Sequence, residues 1–216
     1  MKFNNDSIIF IHIPRTSGSY IEDILCKKHN LKIKWPEPII TNLFGLYKMN
    51  DNHYFTLQHL TLHEMIKYNF INKMKDEQYI FTIIRNPYDR FVSIFNHLNK
   101  LYKTLDLLLD AVEKIDLNDY QHTGIIPENK DFNYINMTLH LGNIKYFVLP
   151  QYYYITNNEN YKVNIIKYED IETLNEILKI DLKFDKKKTN IVLSENQKTR
   201  IYNLYKIDFD NFHFVK

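Results

Sequence analysis

Twice in this chain a short apolar run stops at a polar turn and gives way at once to helix periodicity. SIIFIHIPRTSGSYIEDIL, residues 7–25, and QYIFTIIRNPYDRFVSIF, residues 78–95, share this form. Ser7–Ile13 is rich in β-branched residues and ends at Pro14, which predicts a buried strand, and the apolar spacing over Gly18–His29 is that of a helix. In the second unit Gln78–Ile84 is the strand. Pro87 sits where a first helical turn tolerates proline, ahead of Phe91, Ile94, Phe95 and Leu98. Further strand candidates are His53–Leu57, Ile144–Val148 and Val163–Tyr168. They alternate with helix candidates at Leu60–Asn69, Thr104–Ile115, Asp131–Leu141, Ile171–Ile180 and Ser194–Tyr205, the last with Ser194 as N-cap. Such alternation specifies an α/β fold whose mostly parallel central sheet is flanked by helices.

At 216 residues, with 44% hydrophobic and 15% aromatic content, the chain can bury one good core, so a single domain over 1–216 is expected. Twenty-eight Lys and Arg against 26 Asp and Glu leave a net charge of +2. No global field then draws the chain to nucleic acid or to an anionic membrane, and any anion site has to be local. The lone cysteine, Cys26, excludes an internal disulfide framework and a cysteine-rich zinc site. No secretory signal and no run of eighteen apolar residues is present, which leads to the expectation of a cytoplasmic enzyme without a membrane span. The Lys, Asn, Ile and Tyr bias looks like that of an AT-rich genome, bacterial or viral.

Both turns lie at the carboxyl ends of strands, where open α/β sheets bind ligands. In the first, the backbone N–H groups of Thr16 to Tyr20 and the helix N-terminus form a cradle for an anion. The hydroxyls of Thr16, Ser17 and Ser19 reinforce it, and Gly18 lets the backbone approach a ligand. In the second, Arg85 follows the strand and Ser93 lies two turns along the helix. The chain has four arginines among many lysines, and Arg15, Arg85 and Arg90 all fall in these two turns. That clustering points to a need for guanidinium geometry, suited to bidentate phosphate binding. The first turn lacks the G-x-x-x-x-G-K-[ST] of metal-assisted phosphoryl transfer, and G-x-G-x-x-G is absent.

HIPRTSGSY at 12–20 resembles the H-x-P-K-T-G-G-T-S loop of sulfotransferases that use 3'-phosphoadenosine 5'-phosphosulfate (PAPS). IIRNPYDRFVSIF at 83–95 resembles their 3'-phosphate segment. QHLTLHEM at 58–65, LPQYYYI at 149–155, VNIIKYEDI at 163–171 and the stretch 189–212 follow in the family's order, in the manner of the membrane-type carbohydrate branch and its bacterial relatives.

The resemblance implies a P-loop-like three-layer fold. It also implies that Thr16, Ser17, Gly18, Ser19 and Tyr20 hold the 5'-phosphosulfate and that Arg85 and Ser93 hold the 3'-phosphate. Arg15 stands where the family has a catalytic lysine, and Ser17 where it has a glycine. His59 falls at the family's general base, with His63 and Glu64 one turn on. His12 is expected to orient the loop from beneath, and His97 to pack. Lys187, within Lys186–Lys188, is a candidate lid over the donor. No metal is expected: HExxH is absent and His59 with His63 lack a third ligand. The acceptor is expected to be a hydroxyl of a glycan, bound by loops within 30–52 and 116–150. Two alternatives are a catalytically silent module that binds 3',5'-ADP and a small-molecule kinase of related fold.

Overall fold

The computed structural model describes residues 1–34, 37–48, 53–71, 78–118, 125–127, 144–156, 161–183 and 191–216. The chain opens with β1 (Lys2–Phe3), β2 (Ile8–Ile11) and α1 (Gly18–Lys28). There follow β3 (Leu46–Lys48), β4 (His53–Thr56), a single 3-10 turn at Leu57–His59, and α2 (Leu62–Lys67). The second unit is β5 (Tyr79–Ile84) and α3 (Pro87–Leu98), and beyond it lie α4 (Leu105–Val112), β6 (Ile125–Pro127), α5 (Lys145–Val148) and α6 (Tyr152–Ile155). The last elements are β7 (Val163–Lys167), a 3-10 stretch at Tyr168–Thr173, α7 (Leu174–Leu178), α8 (Glu195–Leu204) and α9 (Lys206–Phe212).

The main sheet runs β1-β2-β5-β7, with β2, β5 and β7 parallel and β1 antiparallel at the edge. Period-two alternation gives each strand two buried faces. Ile9 and Ile11 of β2 and Ile80 and Ile84 of β5 pack toward Leu62 and Met65 of α2, Tyr154 of α6 and Phe212 of α9. Phe10, Phe81 and Ile83 face the other way, onto Ile21 and Leu25 of α1 and Leu174 and Leu178 of α7. Helix, sheet and helix therefore form three layers, and the expected α/β domain is what the chain adopts. A further apolar cluster, centred on Phe91, Ile94, Leu108, Phe147, Ile201 and Tyr205, knits α3, α4, α5 and α8 together.

Three expectations are revised. The strand at 53–57 forms as β4, but it pairs antiparallel with β3 and β6 in a separate sheet. Only four residues separate β3 from β4, too few for the crossover a parallel partner needs. Ile144–Val148 is the helical turn α5 and not a strand, an ambiguity inherent in short apolar runs. Ile171–Ile180 begins as 3-10 and becomes α-helical only at Leu174. The helix expected at Asp131–Leu141 and the candidate lid at Lys186–Lys188, Lys187 included, lie outside the described residues.

Candidate active site

Because β2 and β5 are adjacent and parallel, with Ile11 opposite Thr82, the two polar turns emerge side by side. They touch: Arg85 Nη1 lies 3.5 Å from the Arg15 carbonyl. The first turn is built from alternating backbone hands, Arg15 at φ 69° and Ser17 at φ 73°. Such alternation points successive N–H groups into one concavity, an anion-binding arrangement. Ser17 is the N-cap of α1 and makes no side-chain cap hydrogen bond, so a glycine costs nothing there. Ser17→Gly should raise thermal stability by about 0.5 kcal/mol, or roughly 1–2 °C by calorimetry; a fall would mean that the hydroxyl supports the turn.

Several predicted cradle residues do more specific work than expected. Thr16 is buried, and its hydroxyl donates to the Ile13 carbonyl at 2.8 Å. That bond closes the turn and leaves the Thr16 backbone N–H out of it. Gly18 is required from below: a Cβ there would lie 2.0 Å from His12 Cδ2. His12 is buried under the turn as expected, held by Glu22 Oε1 at 2.8 Å from Nδ1, a partner that sequence reading had not singled out. Ser19 is exposed, and Tyr20 Oη donates to the Lys183 carbonyl at 2.9 Å.

The second turn is locked by a side chain distant in sequence. Gln151 accepts the Arg85 N–H at 2.8 Å and donates to the Arg85 carbonyl at 2.8 Å. Gln151 is itself held by buried Asp208, whose Oδ2 accepts from Gln151 N at 2.9 Å and whose Oδ1 accepts from Tyr152 N at 2.8 Å. Burial pushes the Asp208 carboxyl up from the ordinary aspartate value, offset in part by Arg90 and these donors. Gln151 and Tyr154 are thus interior residues. The Arg85 guanidinium lies over the Tyr168 ring at 4.5 Å, and its buried Nε has no hydrogen-bond partner.

Arg90 differs from its neighbours. It is buried, and it donates to the carbonyls of Pro14 at 3.1 Å, Leu149 at 2.9 Å and Phe147 at 2.9 Å. It ties the first turn to α5 from behind the cavity that Pro14 and Phe147 line. Glu64 is likewise structural, closing a capping box with Thr61 at the start of α2.

A cavity of about 320 Å³ opens beside Arg15, lined also by Ser19, His59, His97, Tyr146 and Phe147. His59, on the 3-10 turn after β4, places Nδ1 3.1 Å from the His12 carbonyl. A carbonyl only accepts, so Nδ1 carries the proton and Nε2 is the ring's acceptor. Burial, then neighbouring His12, hold this imidazole well below the ordinary value of 6.5, so it is neutral at physiological pH. His97 packs against Phe147, as expected, and also lines the same cavity. Among the described residues no group of three or more His, Cys, Asp or Glu is placed to hold a metal, and no helix is long and apolar enough to cross a membrane.

No curated protein matches the chain. Among solved structures, a sulfotransferase from Alicyclobacillus acidocaldarius aligns with 94% of this chain and 92% of its own, at 13% identity and a TM-score of 0.40. The sulfotransferase family pattern is matched over residues 2–215, from β1 to just beyond α9. A match of that extent, with both anion-suited turns inside it, makes this chain a member of the sulfotransferase family.

Proposed function

We propose that the protein transfers a sulfuryl group from PAPS to an acceptor hydroxyl, with Arg15 and His59 as catalytic residues. The observation that carries this reading is the junction of the two turns, where Arg85 reaches the Arg15 carbonyl and keeps a buried, unpartnered Nε–H. An unpaired guanidinium donor in such a place favours an anionic ligand. The backbone N–H groups of 16–20 take the 5'-phosphosulfate, and Arg85 with Ser93 takes the 3'-phosphate. His59 Nε2 accepts the hydroxyl proton as the acceptor oxygen forms a bond to sulfur. The bond from sulfur to the 5'-phosphate oxygen breaks in line, and Arg15 stabilises the charge that develops on that oxygen.

The cavity supports a carbohydrate as acceptor. Its volume is near the lower end of small-molecule sites, roughly 300 Å³ upward. Tyr146, Phe147 and Phe44 supply apolar surface for the face of a sugar ring, and Thr56 and Gln58 have buried side-chain oxygens without partners, suited to ring hydroxyls. The whole chain, 1–216, acts as one catalytic domain in this reading.

Calorimetric titration without magnesium tests the donor side. Wild-type protein should bind 3',5'-ADP about 100-fold more tightly than 5'-AMP, and Arg85→Ala should lose most of that preference, as expected for one or two charge-assisted hydrogen bonds. Equal binding of the two nucleotides would overturn the assignment of PAPS.

A further inference from the structure

Arg15 reaches across the turn to α3. Its Nε lies 3.3 Å from Ser93 Oγ and its Nη1 3.5 Å from His97 Nδ1. Ser93 and His97 are four residues apart, so they stand on one face of the helix and meet one planar guanidinium at two points. Both contacts are long, as is common for active-site contacts before a ligand tightens them.

Their chemistry is directional. A guanidinium offers only donors, so His97 Nδ1 must present its lone pair, and the ring proton of the neutral imidazole sits on Nε2. This is the opposite tautomer to that of His59, whose Nδ1 donates to the His12 carbonyl. A protonated His97 would instead set a cation against Arg15. Burial and Arg15 itself, in that order, lower the affinity of this ring for a proton. The other charged or titratable groups lining the same cavity are His59 from the β4–α2 turn, Glu22 and Asp23 from α1, and Tyr146 from α5.

We propose that Ser93 and His97 form a two-point cradle that orients the Arg15 guanidinium toward the transferring sulfuryl group, with His97 a positioning residue that acts through Arg15. The proposal rests on the sulfotransferase reading of this site. A long side chain carries much rotamer freedom, and fixing its planar head beforehand removes that loss from the barrier. The ring of His97 is set in turn by Phe147, whose centroid is 5.1 Å away.

The test uses the full-length protein and the exchange reaction from p-nitrophenyl sulfate to 3',5'-ADP. In that reaction the bond from sulfur to the phenol oxygen breaks, a bond from sulfur to the 5'-phosphate oxygen forms, and nitrophenolate leaves. His97→Phe keeps bulk and removes the lone pair, and it should lower kcat about ten-fold with little change in KM. His97→Gln, whose amide oxygen can accept from Arg15, should recover activity to within about three-fold of wild type. In an Arg15→Lys background His97→Phe should cost nothing further, because the group it positions is gone.

Equal losses in the two backgrounds, or no loss in the first, would overturn the proposal. Nitrogen NMR of labelled histidine reads the tautomer independently of turnover. Nδ1 of His97 should be unprotonated with 3',5'-ADP bound, and Arg15→Met should abolish that preference; a proton on Nδ1 in the wild type sinks the idea. A wild type that fails to bind 3',5'-ADP at all is a separate result, and it removes the donor reading on which the cradle depends.

Discussion

Arg90→Leu should unfold about 10 °C below the wild type. Arg90 is 1% exposed, and its guanidinium satisfies three buried carbonyls, those of Pro14, Phe147 and Leu149, with distances of 2.9–3.1 Å. Leucine fills some of the volume but leaves all three acceptors unpaired, and it removes the cation that offsets buried Asp208. Breaking a buried charged network of this kind costs about 3–5 kcal/mol. A chain of this size loses roughly 2–4 °C per kcal/mol. Arg90→Lys should rescue little, because one ammonium on a flexible stem cannot reach three carbonyls spread over two segments. A thermal melt followed by circular dichroism checks this, and a shift of under about 2 °C for the leucine variant would show that the three bonds contribute almost nothing net.

The second large effect is on chemistry. His59→Ala should reduce kcat by about 10²–10⁴, the span attributed to a positioned general base, while 3',5'-ADP affinity stays within about two-fold. The contrast matters because His59 lines the cavity and belongs to neither anion-binding turn. Its depressed pKa fixes the sign of the pH dependence. The ring must be unprotonated to act, so activity should be flat above pH 6.5 and should fall only in more acid solution. The same depression has a stability consequence. Below 6.5 the unfolded chain binds a proton at this position that the folded chain refuses, so the folded state loses stability as pH falls from there. A kcat reduced less than ten-fold in His59→Ala would move the base elsewhere in the cavity.

What could be read from sequence was what lies close together along the chain. Both strand-turn-helix units are contiguous, and their strands, turns and helix starts were legible from apolar spacing, Pro14, Gly18 and Pro87. Groups that act across the fold were not legible. Glu22 looks like a surface residue of α1 until the turn folds His12 onto it. Arg90 shares a motif with Arg85 and so invited the same role, yet it lies on the buried side of α3 and faces carbonyls. His97 looked like packing because its partner, Arg15, is 82 residues away. The runs at 53–57 and 144–148 departed for different reasons: the first is a strand, but local apolar content does not say which sheet it joins, and the second is so short that its apolar and aromatic residues fit a strand and a helical turn equally well.

The clasp on Arg85 has a bearing on how the protein comes to be made. Gln151 grips both backbone groups of Arg85, and Asp208, on the last helix, grips Gln151. A chain emerging from the ribosome can assemble its parallel strands β2 and β5 early, but the arginine that follows β5 stays unclasped until residue 208 has cleared the exit tunnel. The grip on the turn after β5 is therefore completed well after the strands that carry that turn. A copy that stopped short of Asp208 would carry β2 and β5 but neither this clasp nor the packing of Phe209 and Phe212.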